Sequence, residues 1–408
     1  VSVSHPGDSL TRPKRILYIV VLGALVGLGP FTIDLYLPAF PALTEDFGVG
    51  DAVIQLTLTG TTIGFGLGQL FVGPWSDRVG RRIPLLVATG LHIVASLGAA
   101  LSPDVVVLGG FRVLQGIGAA GGGVVAMAMV RDMFGGRPLV RMLSRLALVT
   151  SLAPILAPVI GSQLLRITDW RGIFYVLAAY GLFVLLAAGL SIGETMPARG
   201  PDAEARRTVG ERYRALFTDR IFVGIALLGG MMFSGLFSYL SASPFLFQEV
   251  FDLSPQEFGL LFGINSVGIL VGNQTASRLT KVVGPQWILA CTTAVQVLSS
   301  AAIVIGVLLG FGFVGIVIPL FLFILCCGFA FPCIQVIALA HHGKEAGTAA
   351  SILGAANFGL AGLISPVVGA LGISSALPMG SVMLATALIG TASLWFIVRP
   401  RTVPALED

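Results

Sequence analysis

Twelve apolar stretches follow one another between residues 16 and 398, each near the ~20 residues that an α-helix needs to cross a bilayer. They read as 16–39, 53–75, 83–102, 105–130, 142–165, 171–193, 221–247, 257–279, 287–309, 314–340, 347–372 and 377–398. The joints between the third and fourth, ninth and tenth, and eleventh and twelfth stretches are so short that each pair must form a helical hairpin. Such a pattern predicts an all-α membrane protein with twelve transmembrane helices.

Composition closes off the alternatives. Charged residues make up 11% of the 408 residues and apolar ones 55%, whereas soluble domains carry roughly 25% charge. Too few charges remain to cover a water-facing surface. Glycine, at 53 residues, is a liability in soluble helices, but in membrane bundles it lets backbones approach closely. The net charge of +4 gives no basic face on a soluble domain, so nucleic acid is not an expected partner. Cys291, Cys326, Cys327 and Cys333 all lie inside apolar runs and read as small buried hydrophobes. The histidines, including His341 and His342, lack metal-ligand spacing. Neither a metal nor a cofactor is expected. The first run is too long for a signal-peptide core and is interrupted by Pro30 and Asp34, so it reads as the first spanning helix.

Orientation follows from the basic residues. With a cytoplasmic N-terminus, 21 of the 24 lysines and arginines fall in cytoplasmic segments; Arg166 and Arg171 fall outside and Arg112 lies within a span. The positive-inside rule selects that topology, and an even number of spans returns the C-terminus to the same side. The segment 194–220 is the one long polar stretch and carries mixed charges, including six arginines from Arg199 to Arg220. It reads as a cytoplasmic linker, with a short surface helix, between helical bundles at 1–193 and 221–408. The halves echo each other: Gly73 to Arg82 after the second span is matched by Gly272 to Gly284, with Arg278 and Lys281, after the eighth. Internal repeats of this kind are a transporter signature.

The stretch Gly73-Pro-Trp-Ser-Asp77-Arg78-Val-Gly80-Arg81-Arg82 resembles the loop signature of the major facilitator superfamily, G-x-x-x-D-R-x-G-R-R/K. Phe111-Arg112-Val-Leu-Gln115-Gly116 resembles the helix-four motif of its proton-coupled drug exporters. Ala153-Pro154-Ile-Leu-Ala157-Pro158-Val-Ile-Gly161-Ser162 resembles the helix-five antiporter motif, with Ala157 and Ser162 where glycines are usual. Thr32 to Pro41, together with Asp169-Trp170-Arg171 and Phe174, is similar to the bicyclomycin/chloramphenicol (Bcr/CflA) exporters. The resemblance covers essentially the whole chain. It implies two pseudo-symmetric six-helix bundles, a central cavity, alternating access and proton antiport of small drug-like molecules across a bacterial cytoplasmic membrane, by a chain working as a monomer.

Asp34 and Arg112 are the charges that stand clearly inside spans, and a charge buried in a membrane marks a functional site by default. Asp34 lies about five residues from the outer end of the first span and Arg112 about seven residues into the fourth, so they are expected at similar depth, facing each other directly or through water. Asp34 is the expected exchangeable proton site, with the proton as coupling ion; a structural Asp34–Arg112 ion pair is the other account. Val26 stands where some multidrug relatives carry a second acid, which favours neutral, zwitterionic or anionic cargo. Tyr36, Gln115, Phe233, Phe237, Tyr239, Asn265 and Asn357 are expected at a substrate cavity, since drug-sized ligands take apolar and aromatic walls with few polar anchors. Most helix-four glycines are expected to serve packing.

By the resemblance, Gly73, Asp77, Arg78, Gly80, Arg81 and Arg82 form a cytoplasmic gate, which Arg131 and Asp132 can join. Pro154 and Pro158 remove backbone donors in the fifth span, so with Gly161 they are expected to mark a hinge. Other functions compete less well. A proton-coupled metabolite transporter, exporter or importer, shares the fold. A membrane-embedded enzyme lacks a catalytic constellation, ATP-driven transport lacks a phosphate loop, and a channel would show pore rings.

Overall fold

The local chemistry of the joints sets where several of the helices start. Asp104 and Asp169 cap the helices that follow them, their carboxylates accepting from Val106 and Val107 N–H and from Arg171 and Gly172 N–H. Ser254 and Glu257 form a reciprocal capping box before another. In the computed structural model, which describes residues 7, 11–196, 209–280, 282–340 and 346–403, twelve long helices result. They are α1 Arg12–Asp34, α2 Asp51–Val79, α3 Arg82–Ala100, α4 Val105–Met133, α5 Gly136–Leu164 and α6 Trp170–Ser191. The second set is α7 Arg220–Phe245, α8 Pro255–Leu279, α9 Pro285–Leu308, α10 Gly312–Ala340, α11 Ala346–Ile364 and α12 Leu377–Ala392.

Ten of these twelve are apolar enough to cross a membrane by hydropathy. The other two, α2 and α8, hold the same place in each half and are diluted by polar residues, Gln55, Thr57, Thr61 and Thr62 in one and Asn265, Asn273 and Gln274 in the other.

The helices form two compact units: Val1–Ala39 with Gly60–Ala205, and Phe40–Thr59 with Arg206–Asp408. The packing pairs of the first unit recur in the second with six added to each number. Contacts α1–α4, α1–α5, α1–α6, α3–α4 and α3–α6 are answered by α7–α10, α7–α11, α7–α12, α9–α10 and α9–α12. The second helix obeys the same rule. Gly64 of α2 lies directly against the Val113 carbonyl of α4, and Gly272 of α8 leaves room for a Cβ only 2.5 Å from the Leu325 carbonyl of α10. Any larger side chain at either glycine would push the helices apart. Gly116, Gly118 and Gly121 of α4 are likewise filled by backbone or side chains of neighbouring helices, so they serve packing.

Two spans that the sequence reading had as continuous are broken. The first span was expected to run to 39, but α1 stops at Asp34. Pro38 has no N–H to give the Asp34 carbonyl, so the chain passes through a turn and a short 3₁₀ segment, Leu37–Ala39, into a second helix, Phe40–Phe47. Asp34 is therefore a helix terminus and not a residue five positions inside one. The eleventh span is broken at Ser365 by Pro366 into α11 and a short helix, Pro366–Ala370. Of the expected linker, 197–208 lies outside the described residues, as do Lys281, His341, His342 and Lys344. The described part contains a helix, Val209–Thr218.

Candidate functional site

The end of α1 creates the site in the first unit. A helix leaves its last carbonyls without intrahelical donors, and Thr32 is among them. Nη1 of Arg112, from α4, donates to Thr32 O at 3.1 Å and to Gln115 Oε1 at 2.5 Å. The guanidinium carbon lies 3.9 Å from the centre of the Tyr36 ring and 5.6 Å from that of Phe174. A cation at the negative end of a helix, over an aromatic face, is doubly favoured.

The network closes through α3. Gln115 Nε2 donates to Ser96 Oγ at 2.8 Å, and Ser96 Oγ donates to His92 O at 2.7 Å. His92 Nε2 lies 2.9 Å from Thr32 Oγ1, whose own hydrogen goes to Leu28 O at 2.7 Å. Thr32, His92, Ser96, Arg112 and Gln115 are all 0% exposed. A closed buried ring of this kind holds Arg112 in one orientation.

Asp34 stands outside that ring. Thr32 O and the Tyr36 ring both meet Arg112, whereas Asp34 is about 200° round the helix from Thr32 at 100° per residue. It is 4% exposed. The ion pairs of Arg81 with Asp77 and Asp132 involve neither Asp34 nor Arg112, and among the described residues these two are not paired with each other. The Asp34–Arg112 ion pair is thus absent from this state. Beside Asp34, the Leu35 carbonyl presses directly on Gly161 of α5. Helix α5 runs unbroken from Gly136 to Leu164 through Pro154 and Pro158.

Two of the expected cavity residues are used elsewhere. Tyr36 and Gln115 are 0% exposed and committed to Arg112, so they line no open cavity here. In the second unit, Asn265 Nδ2 of α8 donates to Tyr239 OH of α7 at 3.1 Å, and the Tyr239 ring stacks on Phe262 at 5.5 Å. Asn265 Oδ1 is buried without a partner. One turn away on α7, Phe233 stacks on Phe237 at 5.3 Å and meets Phe331 of α10 and Phe358 of α11 at 5.5 and 5.0 Å. Asn357, beside Phe358, also has a buried Oδ1 without a partner. The five candidates of the second half thus fall into a Tyr239–Asn265 pair and an aromatic cluster edged by Asn357.

The loop between α2 and α3 is organised by Arg81. Its side chain pairs with Asp77, reaches Asp132 Oδ2 of α4 at 2.7 Å, and donates to Ser76 Oγ at 2.9 Å. Arg78, Arg82 and Arg131 are exposed, and of the pair suggested to join this loop Asp132 does so while Arg131 stays outside. Gly80 has a φ of +101°, which an L side chain rarely adopts. Beneath it sits Glu194, whose carboxylate accepts from Arg81 N at 2.8 Å, Arg82 N at 3.1 Å, Thr195 N at 3.0 Å and Met196 N at 2.9 Å. Partial burial opposes ionisation of Glu194, but the donors from Arg81, Met196, Arg82 and Thr195 outweigh it and hold the carboxyl below the usual range.

Residues 20–366 match the model of the Major Facilitator Superfamily. The chain belongs to the major facilitator superfamily. It is 34% identical over 393 residues to an uncharacterized MFS-type transporter, YdgK, of Bacillus subtilis, covering 96% of this chain and 98% of that one. It is 28% identical to a bicyclomycin resistance protein homolog of Haemophilus influenzae, over 95% and 97% of the two chains. The multidrug resistance protein MdtL of Escherichia coli is 26% identical, over 96% and 98%. Among solved structures, a D-xylose–proton symporter superposes with a TM-score of 0.76 at 16% identity over 96% and 99% of the chains, which shows the fold alone. A bacterial homolog of the lysosomal transporter Spinster does so with 0.75 at 15%, over 96% and 98%.

This MFS chain is accordingly a multi-pass membrane protein that carries a small substrate by secondary transport, and not an enzyme. Sequence reasoning missed His92 and Glu194. The histidine had one available signal, a titratable side chain inside an apolar run, which is as informative as the charge of Arg112. Glu194 had none, because a carboxylate just beyond a span reads as the start of a linker.

Proposed function

We propose that this MFS transporter is a proton-driven exporter of the Bcr/CflA type. It exchanges protons for small drug-like organic molecules by alternating access, as a monomer in a bacterial cytoplasmic membrane, with both termini cytoplasmic. The observation that carries the reading is Asp34: a carboxyl buried at the end of α1, turned away from the face that Arg112 binds, with no ion pair. Protonating it breaks no ion pair in this state, and moving Arg112 or water towards it in another state releases the proton. Relatives at 28% and 26% identity bear the names of bicyclomycin and multidrug resistance proteins, which supports a drug-like cargo. The Phe233, Phe237 and Phe358 cluster supplies an aromatic wall for it, and the Asp77–Arg81–Asp132 cluster serves as the cytoplasmic gate.

The test is a drug-susceptibility panel in a pump-deficient bacterial host, with wild-type and Asp34→Asn protein at equal expression. Wild type raises resistance to at least one compound and Asp34→Asn abolishes it. Drug efflux driven by a pH gradient that persists in Asp34→Asn proteoliposomes removes Asp34 from the coupling role. No change in susceptibility to any compound shifts the reading to a metabolite transporter.

A further inference from the structure

Helices α1 and α5 begin side by side, and both beginnings are basic. An open cavity of about 480 Å³ lies between them, lined by Arg12 and Arg15 of α1 and by Arg141 and Arg145 of α5, together with Ile19 and Phe134. Helix N-termini carry partial positive charge and ordinarily place acids in the first turn. Neither α1 nor α5 has an acid there, and neither has a side-chain cap. Helix dipoles and guanidinium groups therefore add to one positive potential. Among the described residues no carboxylate lines the cavity. Arg15 donates from Nη2 to Gly7 O at 3.3 Å, while its buried Nε has no partner at all. Four guanidinium groups around one open cavity, with no described carboxylate among them, suit it to an anionic acceptor.

The surface next to the cavity defines what carries that acceptor. One helical turn on from Arg12 comes Ile16, 52% exposed, and then Val20, 56% exposed. One turn on from Arg145 come Leu148 and Leu152, 47% and 43% exposed. Each arginine pair thus heads an apolar stripe, as an amphiphile's binding site requires. A free inorganic anion would use the arginines and leave the stripes unexplained.

We propose that the cavity between the N-termini of α1 and α5 binds a phosphate-bearing anion, and that its source is the headgroup of an anionic phospholipid whose acyl chains lie along the Ile16–Val20 and Leu148–Leu152 stripes. Basic pockets between membrane helices bind such headgroups. The site stands apart from the Asp34 and Arg112 region and does not depend on the direction of transport.

Native mass spectrometry of the full-length protein, with phosphatidylglycerol, cardiolipin, phosphatidylcholine and inorganic pyrophosphate as probes, tests it. Arg141→Gln/Arg145→Gln is compared with Arg399→Gln/Arg401→Gln, which removes equal charge elsewhere. Wild type retains anionic lipid in preference to phosphatidylcholine. The α5 double variant binds it on the order of 10- to 30-fold more weakly, and the control variant is unchanged. Equal loss in both variants, or no preference for anionic lipid, overturns the proposal. Pyrophosphate binding that needs Arg141 and Arg145, without lipid preference, assigns the cavity to a soluble anion and overturns the lipid source. Should Arg141→Gln/Arg145→Gln fail to fold, Arg12→Gln alone gives the same comparison from the other helix.

Discussion

A Cβ at Gly80 would lie 2.6 Å from Oε2 of Glu194. The glycine of the α2–α3 loop thus answers two demands at once: a positive φ and the space in which a carboxylate caps α3. Gly80→Ala is expected to cost about 1–2 kcal/mol from backbone strain alone, and more because Glu194 is displaced. The two effects separate in a double-mutant cycle. Alanine at position 80 should be cheaper, by about 1 kcal/mol, once Glu194→Ala has removed the collision. Thermal unfolding of the purified protein measures both, and strict additivity would show that Glu194 and Gly80 do not interact.

The same carboxylate gives a pH dependence. Its folded pKa lies below its unfolded value, so its contribution is complete above the unfolded value, near 4.3, and is lost as pH falls through the folded one. Glu194 is largely solvent-facing, so the contribution after screening is below about 1 kcal/mol. The stability difference between wild type and Glu194→Gln should be constant at neutral pH and shrink below about pH 4. A difference that grows on acidification refutes the cap.

Much of this was legible in the sequence, for a physical reason. A bilayer demands ~20 apolar residues per helix, so the spans could be read to within a few residues at most ends. Asp34 and Arg112 were legible because charge is expensive in that setting. What they touch was not. The Asp34–Arg112 pairing followed from matching their depths, but Pro38 ends α1 at Asp34, and Arg112 caps the Thr32 carbonyl instead. Tyr36 and Gln115 were expected at a cavity because drug-sized ligands take aromatic walls with few polar anchors. That their partner is Arg112 depends on how α1, α4 and α6 pack, which no local pattern encodes.

In the second unit the amide of Asn265 has one partner, Tyr239 OH, and a second end with none. Tyr239→Phe keeps the stack on Phe262 and removes that partner. The buried amide is then unsatisfied at both ends, at a cost of about 1–3 kcal/mol. Asn265→Leu removes the amide altogether and is expected to be less costly. Thermal unfolding that ranks the two the other way would show that Asn265 has another partner.

His92 has a definite tautomer. Thr32 Oγ1 spends its one hydrogen on Leu28 O, so the contact with His92 is made by a donated Nε2–H, and Nδ1 is bare. Nitrogen-15 shifts of labelled histidine should show a protonated Nε2 and an unprotonated Nδ1. That Nδ1 is buried without a partner, so His92→Leu is expected to stay within about 1 kcal/mol of wild type. Gln115→Leu, which strips Arg112 of a charge-assisted bond, should cost about 1.5–3 kcal/mol. A protonated Nδ1 in the spectrum contradicts the network.

Arg81 separates stability from gating. Its two carboxylate partners differ in exposure: the Asp77 side chain is 62% exposed and that of Asp132 14%. An exposed pair contributes at most about 1 kcal/mol, whereas removing a buried partner leaves Arg81, itself 10% exposed, short of a counter-charge. Asp132→Asn is therefore expected to destabilise the purified protein by about 1–3 kcal/mol, and Asp77→Asn by less than 1 kcal/mol. If Asp77 belongs to the gate, its asparagine variant loses transport while keeping nearly wild-type thermal stability and expression. Asp132→Asn loses transport and stability together. Equal unfolding temperatures for the two variants would mean that burial does not decide which carboxylate holds Arg81.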